Sequence, residues 1–357
     1  MADNPSSSAD LDISDLDDSA FDNNSRWPRR LLHLPTWTSY KWQPGNIYGG
    51  HLEPKYVALS YTWGRWQLPE GAKPQAKALP IRGVPWTIPR VDPDLHFALT
   101  DFINVLWEVV QDPLRRYYYY AWRGGRINSR EGWGGAATSL IRWIHKFVSP
   151  PYQFIWIDIA CIDQRYNKIT LAEIGRQARI FQHAEHVYVW LSRTSNERLE
   201  SLIDDLQSGA VALEIEPYMK CQKIEQISRT KDLLDQILRG LKGLLEDPWF
   251  SSLWTLQEAY LCPKAIMLSR NGCPIGDRGV KLVAPRSQTL NHVFSHANNL
   301  AFWSTQTLYA RSLPQYQLVI ELIRKAGLAV LWMNNPMALL GVSHSRKATR
   351  ELDYGTI

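Results

Sequence analysis

A mainly parallel α/β sheet flanked by helices, with a helical extension after it, is the fold this sequence predicts. Three observations lead there. Apolar, β-branched and aromatic runs recur near residues 56, 154, 187 and 265. Helical stripes fall between them, as parallel crossovers require. The run Phe154-Ile155-Trp156-Ile157-Asp158-Ile159-Ala160 is apolar on both alternating faces, which suits a strand covered on both sides.

In chain order, residues 1–25 contain seven aspartates and no Lys, Arg or Glu, and are expected to form a disordered acidic tail. Order is expected to begin near Arg29-Arg30-Leu31-Leu32-His33-Leu34. An α/β domain then spans 26–275. Its first strand is Tyr56–Tyr61, followed by Thr62-Trp63-Gly64, where the glycine lets backbone amides approach a ligand or merely ends the strand. Leu79 to Ile88 reads as a short hairpin turning at Arg82-Gly83. Asp92-Pro93 supplies an N-cap with proline at the first helical position. From there Leu95, Leu99, Phe102, Ile103, Leu106, Val109 and Val110 form one stripe. Residues 114–135 have no clear period and read as an exposed insertion, and Ala136 to Phe147 as a helix entering the 154 strand.

Beyond that strand, Thr170-Leu171-Ala172-Glu173 has the capping-box pattern and opens a helix to about Ala184. Val187–Ser192 is a buried strand. Helices are expected near 196–208 and 222–246, the second stopped by Pro248. Ser251-Ser252 can cap a helix from Leu253 to Tyr260, and Lys264–Leu268 is the fourth strand. Residues 276–357 read as a helical extension.

The totals narrow the function classes. With 357 residues and 45% hydrophobic content there is ample length for a core. The net charge of +5 conceals a basic body, because without the acidic tail the remainder carries +12. Such a body attracts nucleotides, nucleic acid or acidic surfaces, and charge alone does not choose among them. Cys161, Cys221, Cys262 and Cys273 show no metal spacing, and a reduced, cytoplasmic protein is the simplest account. The apolar stretch Ala326 to Val342 is interrupted at Asn334-Asn335-Pro336, too early for a membrane span.

Candidate site residues emerge from the fold. Ligands of open parallel sheets bind beyond the carboxyl ends of the strands, where Ser60, Trp63, Gly64, Asp158, Asp163 and Gln164 are expected. Ser60, Trp63 and Gly64 are nucleotide contacts, or else a tight turn with a core tryptophan. Asp158 faces a cleft or caps a neighbouring element, since a carboxylate in so apolar a run needs a partner. Asp163 and Gln164 bind ribose or shape their loop. Glu173 is assigned to helix capping. His292 and His296 lack the glutamate of a zinc-protease helix, and the glycines at 124–135 lack the Lys-Ser/Thr pair of a phosphate loop. Arginines and aromatics at 115–130 could hold single-stranded nucleic acid, although a protein-binding surface fits them better.

Five strings occur together: RRLLHL, YVALSYTWG, FIWIDIACIDQ, EIGRQARIFQHAEHVYVWLS and DPWFSSLWTLQEAYL. Their order resembles the fungal heterokaryon-incompatibility (HET) domain over roughly 29–270, and the later SRKATRELDYG resembles the segment that comes after that domain in the family. Family members usually continue past that last string, so a shortened form or an incomplete gene is expected. The stretch from Gly64 to Pro150 is longer than the family pattern. The resemblance implies non-self recognition and cell death in fungi, through self-association and an unidentified recognition partner. It also implies a distant likeness to Toll/interleukin-receptor (TIR) domains, hence a TIR/flavodoxin-like sheet. Some TIR domains cleave NAD with a tryptophan and, four residues on, a catalytic glutamate. Trp254 and Glu258 reproduce that spacing, which implies Glu258 as catalytic acid and Trp254 as a ring contact, with NAD a substrate and no bound cofactor. The alternative for this pair is a core tryptophan and a glutamate paired with a nearby Arg or Lys.

Overall fold

The computed structural model describes residues 21–22, 25–113, 150–165, 167–215, 223–275, 288–306, 313–332 and 343. Eight strands form one mixed sheet. They are β1 (Arg30–His33), β2 (Thr38–Gln43), β3 (Ile47–Tyr48), β4 (His51–Leu52), β5 (Tyr56–Ser60), β6 (Phe154–Trp156), β7 (Val187–Trp190) and β8 (Ile266–Leu268), in the order β4-β3-β2-β1-β6-β5-β7-β8. Pairing is parallel from β6 through β5 and β7 to β8. From β6 outward through β1, β2, β3 and β4 every pairing is antiparallel.

The sheet is therefore α/β but not mainly parallel, and the antiparallel half was not expected. Its strands are short and joined by tight turns rather than crossover helices. Gly49 and Gly50 connect β3 to β4 with both φ values positive, the conformation two-residue hairpins need. A Cβ on Gly49 would lie 2.6 Å from the ring of Tyr40, so that position has no room for another residue.

Central strand β5 is buried at every position and lies between β6 and β7. The chain thus leaves β5 toward one neighbour and later returns on the other side, which opens a crevice beyond the carboxyl ends of these strands. Fully buried Trp156, Trp190 and Trp249 anchor the core around it. Helices Asn196–Ile215 and Lys223–Leu245 form a long antiparallel pair, close-packed at Gly240, where a Cβ would meet the Leu202 carbonyl at 2.6 Å. Helices Leu290–Gln306, Pro314–Lys325 and Leu328–Trp332 account for the described C-terminal part.

Several local expectations are corrected. The strand at 154 ends at Trp156, and Asp158–Cys161 is a single helical turn. In that turn the Ile157 carbonyl takes the amides of Ala160 and Cys161, and Asp158 Oδ1 accepts from the Ile159 amide at 2.7 Å. The stripe from Asp92 becomes helical only at Leu99; Asp92 caps a turn instead, its Oδ1 accepting from the Asp94 amide at 3.0 Å while Lys73 Nζ holds both oxygens at 2.6 and 2.8 Å. Thr170 is not an N-cap. Asn167 caps a helix Lys168–Ile174, and a second helix, Gln177–His183, comes after a break at Gly175-Arg176.

Glu173 is likewise no cap. It is 1% exposed, accepts from the Arg29 backbone amide at 2.9 Å and pairs with Arg176 at 2.7 Å. Leu79 to Ile88 forms no hairpin; Arg82 bridges the edge of β2 instead, exchanging backbone bonds with Trp37 and Ser39. The acidic tail up to residue 20, the insertion at 114–135, the helix expected at 136–147 and the late SRKATRELDYG string lie outside the described residues. No described helix is long and apolar enough to cross a membrane.

Candidate functional site

Three segments converge beyond the carboxyl ends of β5 and β6. The chain leaves β5 at Ser60, runs through Tyr61-Thr62-Trp63 and makes a short 3₁₀ turn over Gly64–Trp66. It leaves β6 through Ile157 into the helical turn that begins at Asp158, and then the loop Ile162-Asp163-Gln164. The third segment is helix Leu253–Leu261, entered from the turn Pro248–Ser251 that Asp247 caps. With Thr170, Ile174 and Gln177 from the two short helices, they enclose a cleft with an empty volume of about 950 Å³ including its open mouth.

Of the residues expected at a site, Trp63, Gly64, Asp158, Asp163, Gln164, Trp254 and Glu258 all line this cleft. Ser60 does not. It is buried behind Glu258, and its hydroxyl donates to Glu258 Oε2 while accepting from the indole Nε1 of Trp249 at 2.7 Å. Trp254 and Glu258, one helical turn apart, present ring and carboxyl to the same space.

Among the described residues no cation lies within ion-pair distance of Glu258, so none of them is the Arg or Lys partner of the alternative reading. Burial raises its pKa to about 8, the nearby Asp158 adds to the rise, and only the Ser60 hydrogen bond opposes it. Glu258 is therefore mostly protonated at neutral pH.

Asp158 is held differently. The Trp63 indole donates to its Oδ2 at 2.6 Å and the Ile159 amide to its Oδ1. Burial still raises its pKa, against those hydrogen bonds. Asp158 thus both faces the cleft and fixes Trp63 across the β5–β6 junction. Asp163 is bound to Arg165 at 2.7 Å and to Asn167 at 2.9 Å. Burial opposes, but these partners hold its carboxyl below the ordinary range. Both Asp163 oxygens are used in shaping the loop. Gln164 donates to the carbonyls of Asp158 and Ile162, which locks the same turn.

Sequence reasoning missed Arg65, Trp66 and Gln177, which also line the cleft, and Trp249 behind it. Arg65 comes directly after Trp63-Gly64, so its position next to a strand-end glycine was an available signal. Gln177 had a weak one, since Gly175, where the helix breaks, is a breaking residue two positions before it. Among the described residues, no group of three or more His, Cys, Asp or Glu side chains could hold a metal ion.

Residues 136–258 match the family model described as Heterokaryon incompatibility protein (HET), about a third of the chain. The matched stretch contains Asp158, Asp163, Gln164, Trp254 and Glu258; the β5 side of the cleft, with Ser60, Trp63 and Gly64, precedes it. No curated protein and no solved structure gives a significant match to the chain.

Proposed function

We propose that this protein acts in fungal heterokaryon incompatibility as a cell-death effector, and that its cleft hydrolyses NAD or a related nucleotide with Glu258 as the catalytic acid. The match over 136–258 supports the first part. The observation that supports the second is the Glu258 carboxyl, without a cationic partner among the described residues and sharing one cleft with Trp254, Trp63 and Asp158.

The chemistry asks little more of the protein. Cleavage of a nicotinamide–ribose bond sends the electron pair to the ring nitrogen, neutralising it, and leaves ribose C1′ cation-like for water to attack. A carboxylate facing that carbon and hydrogen-bonded to ribose hydroxyls stabilises the transition state more than the ground state. One such contact contributes about 3–4 kcal/mol, or a hundred- to thousandfold in rate. The proton on Glu258 leaves to solvent as the cationic ring binds, because a positive charge nearby reverses the preference that burial imposes. Tryptophan walls exclude water and lower the local dielectric, which strengthens the same electrostatic interaction.

A second reading is a signalling adaptor of the same fold that works by self-association. The proton held on Glu258 favours it, since a neutral acid bonded to Ser60 also serves as a structural element. Nicotinamide release from NAD by the purified, concentrated protein decides between them, measured beside Glu258→Ala and Glu258→Gln. Turnover that both variants lose by a hundredfold or more supports hydrolysis. No turnover in the unaltered protein favours the adaptor, and turnover indifferent to both changes removes Glu258 from the chemistry.

A further inference from the structure

Beside the two acids, the β5 side of the cleft is cationic. Arg65 lines the cleft, half-buried, with one terminal nitrogen donating to the Pro248 carbonyl at 3.2 Å and the Ser251 hydroxyl at 3.1 Å. Its guanidinium stands 4.6 Å from the ring centre of Trp66. Arg193, just past β7, approaches the same ring at 5.8 Å and donates to the Leu95 carbonyl. Asp247 acts on Arg193 through its charge, but no carboxylate among the described residues stands in ion-pair contact with either guanidinium. Asp247 accepts from the backbone amide of Arg193 rather than from its guanidinium. His96 stacks on Trp66 at 3.9 Å, and burial, reinforced by Arg193 and Arg65, lowers its pKa to about 4, so it is neutral at pH 7.

Neither arginine makes an ion pair with a carboxylate among the described residues. Burial, and then the Arg193 charge, lower the Arg65 pKa. Guanidinium remains charged under such pressure, so the two cations repel each other until an anion lies between or beside them. Planar guanidinium forks hold a phosphate or a carboxylate through two parallel N–H bonds, and the nucleotide reading of this cleft makes phosphate the anion to expect.

We infer that Arg65, which lines the cleft, and Arg193, outside that lining but against the same Trp66 ring, form a phosphate subsite at the cleft's edge, so that its ligand is a phosphorylated ribosyl compound rather than a free nucleoside. The inference deepens the nucleotide reading of the same cleft and rests on it for the ribose end, where Asp158 and Glu258 are. Hydrolysis is not required for it.

Titration calorimetry with AMP, ADP-ribose and adenosine tests it, at low and at moderate salt. The unaltered protein is expected to bind AMP and ADP-ribose about tenfold or more tightly than adenosine, with the advantage shrinking as salt rises. Arg193→Gln, at an exposed position, should reduce that advantage, and Arg65→Gln should remove most of it while adenosine binding persists. Thermal unfolding of each variant separates lost phosphate contact from lost fold. Equal affinity for AMP and adenosine, an advantage that survives in the double variant, or no binding of either phosphorylated probe would overturn the inference. Phosphate-dependent binding without any nicotinamide release would sink hydrolysis and leave the subsite standing.

Discussion

Ser60 and Glu258 lie 198 residues apart in sequence, and the serine hydroxyl donates to the glutamate carboxyl at the buried side of the cleft. The same hydroxyl accepts from Trp249, so one small side chain links a strand end, a 3₁₀ turn and a helix. Ser60→Ala removes the one hydrogen bond that lowers the Glu258 pKa, which is expected to rise further above about 8. It also leaves the Trp249 indole without an acceptor, at a stability cost of roughly 1–3 kcal/mol. Carboxyl titration by carbon NMR reads the first effect and urea unfolding the second. An unchanged titration would show that the hydroxyl does not set the acid's pKa.

Stability should fall with rising pH through Glu258. Its folded pKa is about 8 against an ordinary 4.5, so the folded state binds the proton more tightly than the unfolded state. Below about 4.5 the group costs nothing. Between 4.5 and 8 stability decreases by up to about 1.4 kcal/mol per pH unit from this residue, and above 8 the full penalty is present. Glu258→Gln cannot ionise, so its advantage over the parent should grow from pH 5 to pH 9. Urea midpoints of both proteins across that range check the sign; parallel curves would refute it.

Trp63→Phe keeps an aromatic ring, though a smaller one, and deletes the 2.6 Å donor to Asp158. Since this hydrogen bond opposes the burial that raises the Asp158 pKa, its loss should raise that pKa further and cost roughly 1–3 kcal/mol. Asp158→Asn with Trp63→Phe closes a double-mutant cycle. A coupling energy near zero would mean that the bond does not contribute.

Glu173 should matter for folding. It is buried with Arg176 and Arg29, whose guanidiniums both stand 4.4 Å from the ring centre of Phe21. Arg176 also donates to the carbonyls of Ser25 and Trp27, which ties the start of the domain to the helices beside the cleft. Glu173→Ala would strand two cations and is expected to cost about 3–5 kcal/mol. Thermal unfolding should show the loss, and limited proteolysis should show earlier cleavage near residues 25–29. A variant as stable as the parent would mean that the arginines find other partners.

Sequence alone determined the four parallel strands and seven of the residues that line the cleft. Buried strands and strand-end positions are encoded locally, in apolar runs, glycine and the residues just past them. Trp254 and Glu258 were legible because a helix turns every 3.6 residues, which fixes two side chains on one face wherever the helix packs. The antiparallel half was less visible: strands of two residues have no measurable period, although Gly49-Gly50 was a turn signal in plain view.

Only the tertiary structure decided what each carboxyl does. Spacing made Glu173 a helix cap and left Glu258 open between an ion pair and a cleft. In the fold Glu173 is the one held by arginines and Glu258 the one without a cationic partner among the described residues. A carboxyl's role depends on its solvent and its neighbouring charges, and Ser60, Trp249 and Arg176 reach these acids by packing across the sheet, along directions that no local period records.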